Sequence, residues 1–192
     1  MHGLRISMSV RLTGTEQGSM LSSPAYLALD DAGGIRLQVL SPFGVTVLDL
    51  AISGDAYTLT LPLRHETGNG RIDPSVLDDP RVPVGDRMIV ALALMFRPKA
   101  RPDVCRGVGP GTVACAVAPE LAARVTVDDS LRPVREEYVR GDGEALLVAT
   151  YDDYRGTEQT AMPGSIVLED PASKARMIIR VTRVRTAAEP AA

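Results

Sequence analysis

Two cysteines, Cys105 and Cys115, and two histidines, His2 and His65, are the residue types here most suited to redox, metal or nucleophilic chemistry. The cysteines flank RGVGPGTVA, whose Gly-Pro-Gly centre turns the chain back on itself. Thiols that close around a turn either form a hairpin disulfide, which implies an oxidising compartment, or stay unrelated with one of them buried. With His65 they lack the spacing of a zinc site. A Ser-His-Asp arrangement would have to use His65, yet no G-x-S-x-G elbow accompanies it. His65 lies beside Glu66 in a polar stretch and reads as a solvated loop residue.

Carboxylates come in adjacent pairs: Asp30-Asp31, Asp78-Asp79, Asp128-Asp129 and Asp152-Asp153. Neighbours on a strand point to opposite faces, so no pair is an acid–base couple by itself. Most fall where Asp favours turns. None fits a D-x-D-x-D-G calcium loop. GVGPG (107–111) leads towards a strand, whereas a phosphate loop opens a helix. No cofactor and no metal is expected, and the chemistry to look for is binding rather than catalysis.

Composition narrows what is bound. With 192 residues, 45% hydrophobic and 23% charged, the chain can form one globular domain with a sizeable core. That domain is expected over residues 1–186, with a disordered tail at 187–192. A net charge of −3 and only 4% aromatic residues argue against a nucleic-acid partner. No apolar run reaches the roughly 18 residues of a spanning helix. The opening MHGLRISMSVRL alternates like a strand and not like a signal peptide, so either the protein is cytosolic or the sequence is confined to a folded part.

The elements that must shape a binding site are mostly strands. Leu4, Ile6, Met8, Val10 and Leu12 share one face of the first, and Arg5, Ser7, Ser9 and Arg11 the other. After a turn at 14–18, a second strand lies within 19–31, where Pro24 suggests an edge or a bulge. Strands follow at about 34–41, 44–52 and 55–61. Residues 63–85 read as a long connection with a helical turn at Pro74 to Leu77. Residues 86–98 read as a helix, capped by Asp86 and closed by Pro98, although a strand is the rival reading. Apolar nearly all round, such a helix must be buried or must cover something apolar.

Further strands are expected at about 112–118, 121–128, 133–140, 144–153, 164–169 and 174–185, with hairpin turns at 128–130 and 140–143. The fold class is mainly β (α+β): a curved antiparallel sheet of about ten to eleven strands, with one or two helices covering an apolar concave face. Strand parity lines that face with Leu37, Val39, Leu48, Leu50, Leu59 and Leu61. Met88, Ile89, Leu92 and Phe96 cover it from the helix. The incompletely filled space between is a candidate apolar cavity, and acyl chains are its occupants if the resemblance given below holds.

One turn breaks the pattern. In LSPFGVTVLDL (40–50), Pro42, Phe43 and Gly44 interrupt two strands and place one of only two phenylalanines at a turn tip. Turn tips face water and are usually polar. Phe43 must either fold back into the core or meet a solvent that is not water.

Three stretches resemble the LolB family of outer-membrane lipoprotein receptors of Gram-negative bacteria. They are LSPFGVTVLDLAISGDAYTL (40–59), VPVGDRMIVALALMFRP (82–98) and YDDYRGTEQTAMPGSIVLEDPASKARMIIRV (151–181). They match, in order, the family's strand–turn–strand with its N/S-P-L-G turn, its covering helix, and its Y-x-x-Y, A-M-P and closing strands. The resemblance implies a LolA/LolB-like half-open barrel without enzymatic activity. It implies a protein that takes the acyl chains of lipoproteins from a LolA-like periplasmic carrier and delivers them to the inner leaflet of the outer membrane. It implies that Phe43 stands where the family carries a membrane-inserting leucine. It implies a place on the periplasmic side of the outer membrane, with a lipid anchor in the full-length precursor; the family's leading helix and lipid-modified cysteine are not in this sequence. The alternative is a periplasmic lipid- or peptide-binding sensor of the same fold that retains its ligand.

Overall fold

Period-two alternation in the sequence becomes alternating burial in the structure. A computed structural model describes residues 3–14, 22–30, 32–96, 104–156 and 161–186. Six strands come first: β1 (Leu4–Thr13), β2 (Ser23–Leu29), β3 (Ile35–Leu40), β4 (Thr46–Ser53), β5 (Ala56–Leu61) and β6 (Glu66–Arg71). The helix α1 (Val84–Phe96) follows. Seven more strands follow among the described residues: β7 (Cys105–Gly109), β8 (Thr112–Ala118), β9 (Leu121–Val127), β10 (Pro133–Arg140), β11 (Ala145–Arg155), β12 (Met162–Asp170) and β13 (Ala175–Thr186). Single 3-10 turns lie at Pro62–Arg64 and Pro74–Asp78.

The sheet is open and its described pairings are antiparallel. Thirteen strands exceed the expected ten to eleven, and the two that sequence reasoning missed are its edges, β6 and β7. Their sequences, ETGNGR and CRGVG, hold two glycines each and almost no apolar residue. An edge strand has a partner on one side only and needs no apolar stripe; short, glycine-rich edges also resist pairing with other chains. Residues 63–85 are therefore not one long connection, because β6 lies within them.

Contacts divide the chain into two compact units. The first comprises Met1–Arg11, Met20–Asp73 and Ile179–Ala192. Its strand order is β6-β5-β4-β3-β2-β1-β13. Inward residues meet in rows: Ile6 faces Leu27, Leu27 faces Leu37, and Leu37 faces Leu50, all of them buried. Pro24 is on neither an edge nor a bulge. It is the second residue of the central strand β2, opposite Ser9, where the ladder is only beginning.

The second unit comprises Leu12–Ser19 and Pro74–Ile178. Its order is β13-β12-β11-β10-β9-β8-β7. Helix α1 buries Met88, Val90, Ala91, Leu92, Ala93 and Leu94, as its all-round apolar sequence requires. It begins two residues before the expected start. The Pro83 carbonyl accepts from the Asp86 and Arg87 amides, so Asp86 is in the first turn and is not the cap. There its carboxylate complements the positive end of the helix dipole. Arg87 reaches from the helix to Asp170 at the end of β12, 2.8 Å away, and both side chains are buried. Asp170 also accepts the Ser173 amide at 3.0 Å. The helix is thus held to β12 by a buried charge pair. Pro98, most of the 14–18 turn and the 187–192 tail lie outside the described residues.

Candidate functional site

An apolar groove of about 510 Å³ opens within the second unit. That is within the usual range for small-ligand sites. The last turn of α1 contributes Met95 and Phe96 to it. Strands β8 and β9 contribute Val113 and Val125; β12 contributes Met162, Pro163 and Ile166. Along one side runs the Cys105–Cys115 bridge. The two cysteines are direct register partners of β7 and β8 with Cα atoms 4.0 Å apart, and they are bonded. The alternative of two unrelated thiols is thereby settled.

The groove is less uniformly aliphatic than parity suggests, because β10 and β11 place polar atoms in it. Along β10, Glu136 shares its face with Val134 and Tyr138, while Arg135 and Glu137 point the other way and pair with each other at 2.8 Å. Glu136 is consequently 2% exposed. Its register partner on β11 is Ala149, and Tyr151 stands two residues on, at the diagonal position. The Tyr151 hydroxyl donates to Glu136 Oε2 at 2.9 Å. Burial first, then the Glu136 charge, holds the Tyr151 hydroxyl far above its ordinary ionisation range. Tyr138 is fully buried and shifted in the same direction, by burial first and then by the Glu136 charge. Tyr154, at the Pro133 end of the groove, donates to the Pro133 carbonyl at 2.5 Å and packs under the Arg132 guanidinium, 5.2 Å from the ring centre. Burial pushes it up to about 12, with Asp128 adding to the effect and Arg132 opposing it.

Glu136 was not legible as a site residue from its type. The signal that could find it is parity: one carboxylate of an adjacent Glu pair must share a face with Val134 and Tyr138.

The second feature is in the first unit. Gly44 N–H donates to the Ser41 carbonyl at 3.0 Å, Ser41 N–H to the Val45 carbonyl at 2.7 Å, and Gly44 is left-handed with φ 81°. This is a three-residue hairpin turn. Among the described residues, three other hairpins close by the same pair of bonds, at 30–34, 128–132 and 140–144. Their residues at the position of Phe43 are Ala32, Ser130 and Asp142. The turn geometry therefore makes no demand for a large apolar side chain. Phe43 is nonetheless 92% exposed and does not fold back. Pairing of Asp49 with Thr60 brings the Pro62–Arg64 turn beside the start of β4, so Leu63 and Val45, both exposed, end at the same rim of the first unit.

The remaining expected residues divide between the units. Leu37, Val39 and Leu50 are buried in the first unit, with Leu48, Leu59 and Leu61 half-buried there. Met88 and Leu92 are buried in α1, and Ile89 is half-buried. Of the ten, Phe96 lines this groove and the other nine do not. His65 is the left-handed residue closing the Pro62–Arg64 turn, exposed as expected of a loop position.

No family model matches the sequence, and no curated protein matches it. Solved structures do match. A DUF1329 family protein from Desulfovibrio piger superposes with a TM-score of 0.59 at 9% identity, covering 98% of this chain and 87% of that one. A LolA superfamily protein from Nitrosomonas europaea gives 0.55 at 12% identity with the same coverages. A domain described as that of an outer membrane lipoprotein-sorting protein from Vibrio parahaemolyticus gives 0.56 at 13%, again with 98% and 87% covered. The fold is that of LolA-superfamily proteins. At these identities the likeness is one of fold, and it agrees with the open antiparallel sheet and the one α-helix found among the described residues.

Proposed function

We propose that this protein is a LolB-like receptor that accepts the acyl chains of lipoproteins from a periplasmic carrier and delivers them to the outer membrane. The observation that carries the reading is Phe43: a large apolar side chain, 92% exposed, on a turn whose three geometric counterparts carry Ala, Ser and Asp. A side chain that geometry does not require and water does not favour is explained by a lipid environment. Burying it in the acyl boundary of a bilayer contributes about 1.5–3 kcal/mol. Leu63 and Val45 at the same rim enlarge the inserting surface.

The apolar groove supplies the receiving site. Each buried acyl CH₂ contributes about 0.8 kcal/mol, so transfer runs on affinity differences between carrier, groove and bilayer, with no nucleotide, metal or bond-making step. The Cys105–Cys115 bridge supports an oxidising compartment such as the periplasm.

The test is transfer of a fluorescent-acyl lipoprotein from a LolA-type carrier to this protein and on to liposomes. Wild type is expected to accept and deliver. Phe43→Glu is expected to accept but deliver about tenfold less or worse, with an unchanged circular dichroism spectrum. Acceptance by both proteins without delivery by either would reassign the chain as a module that retains its ligand. Refusal of the lipoprotein would end the receptor reading.

A further inference from the structure

Most arginines of the described residues sit in ion pairs, as Arg36 does with Asp49 at 2.7 Å and Arg71 with Asp55 at 4.0 Å. In the first unit Arg11, Arg64 and Arg180 do not: each is exposed, and none has a carboxylate partner among the described residues. The register brings all three towards one end of that unit. Val10 faces Ser23, Ala25 faces Val39, Val39 faces Leu48 and Leu50 faces Leu59, so the ends of β1, β3 and β5 lie together. Arg11 follows Val10, and Arg64 closes the 3-10 turn after β5. On β13 the Thr182 hydroxyl donates to the Ser7 carbonyl at 2.9 Å, and a Cβ on Gly14 would lie 3.1 Å from the Ala175 Cα. Strand β13 therefore runs against β1, and Arg180 comes level with Ser9 on the face that Ser9 shares with Arg11.

The same end carries Phe43, Val45 and Leu63, all exposed. The described carboxylates nearest to it are Asp49, committed to Arg36, and Glu66, exposed at the start of β6. An apolar tip flanked by unpaired guanidinium groups fits a bilayer better than it fits a protein pocket. A side chain inserted to the acyl boundary lies about 5–10 Å deep, and long arginine side chains reach the head groups beside it. The guanidinium fork matches phosphate oxygens.

We infer that this rim is selective for anionic bilayers, with Arg11, Arg64 and Arg180 engaging acidic lipid head groups while Phe43, Val45 and Leu63 insert. The inference rests on the membrane-inserting reading of Phe43 and adds the class of lipid to it. Each arginine close to an anionic surface strengthens binding about fivefold, and Glu66 opposes part of that gain.

The experiment is co-sedimentation of the intact protein with vesicles of phosphatidylcholine alone and of equimolar phosphatidylcholine and phosphatidylglycerol. Wild type is expected to bind the anionic vesicles about tenfold or more tightly, a preference lost in about 1 M NaCl, where charges are screened beyond about 3 Å. Arg11→Gln, Arg64→Gln and Arg180→Gln combined are expected to abolish the preference and keep the weaker binding common to both vesicles. Phe43→Ser is expected to lower binding to both compositions by a similar factor, about tenfold. Glu66→Gln is expected to raise the preference, and it tests the charge balance without removing an arginine. Equal binding of wild type to both vesicles overturns the inference and leaves membrane insertion standing. Binding to neither overturns insertion and selectivity together. A triple variant that keeps the preference also overturns the inference; if it loses acceptance from the carrier instead, the arginines are a protein contact.

Discussion

The chain has two phenylalanines, and they are placed in opposite ways. Phe43 tops a three-residue turn of the first unit and is 92% exposed. Phe96 ends a helix of the second unit and lines an apolar groove. The difference lies in what positions each ring. Phe43 is aimed by a local device: two backbone bonds across the turn and a left-handed Gly44. Phe96 is aimed from a distance, by burial of the preceding helical turns and by the Arg87–Asp170 pair that holds α1 to β12. A ring on a turn can be changed with little effect on the fold, whereas a ring at the end of a seated helix shares the fate of its seat.

The largest test of that contrast is alkaline pH, which acts on the groove. The Tyr138, Tyr151 and Tyr154 hydroxyls are all raised, Tyr154 to about 12, with burial the leading cause. A raised tyrosine keeps in the folded state a proton that the unfolded chain releases near its ordinary value of about 10. The stability this contributes is fully present below about pH 10 and is lost as pH rises through the folded values. The expected outcome is a steep fall in the urea midpoint above about pH 10, coincident with tyrosinate absorbance. Ionisation of these tyrosines without loss of stability would mean that the groove is wet rather than apolar.

Next in size is Asp170→Ala, which leaves Arg87 buried without its carboxylate and removes the acceptor of the Ser173 amide. Breaking one side of a buried pair costs about 3–5 kcal/mol, measurable by urea denaturation. Acyl-probe affinity is expected to fall with it, because the helix end carrying Phe96 loses its seat. Undiminished probe binding in the folded fraction would show that the groove does not depend on that pair.

The two rings can then be exchanged against each other. Phe43→Glu is expected to change stability by less than about 0.5 kcal/mol and leave probe binding intact while delivery to liposomes falls. Phe96→Ala is expected to weaken probe binding by about 1–2 kcal/mol and leave membrane insertion intact. A shared phenotype would collapse the distinction.

The smallest effect belongs to the turn family itself. Leu131 occupies the left-handed position that Gly33, Gly44 and Gly143 fill in the other three turns, with φ 59°, and is 80% exposed. A side chain with a Cβ is strained there. Leu131→Gly is expected to raise stability by about 0.5–1 kcal/mol in a thermal or urea melt, a gain that Gly44→Leu should reverse in the 41–45 turn.

Much of this architecture is readable from local pattern. Alternation in LRISMSVRL predicts β1 and its buried face, and RGDG predicts the turn between β10 and β11. Pro-Phe-Gly marks Phe43 as a turn-tip residue. Such signals are legible because φ, ψ and the two-residue period of a strand are set by nearby residues. The edges were not legible, since ETGNGR and CRGVG present no apolar stripe and take their pairing from a neighbour. Sequence reasoning raised the Cys105–Cys115 pairing and left it open; the β7–β8 register closes it.

Residue by residue, then, the sequence determines the strands, most turns, the buried helix and the anomaly of an apolar turn tip. Tertiary structure alone decides that Phe43 remains exposed, that Phe96 lines a groove with Met162 and Ile166, and that Glu136 lies within it beside Tyr151. Exposure and burial depend on what every other element covers. A register shift of one residue would carry Glu136 to the outer face and leave its local sequence unchanged.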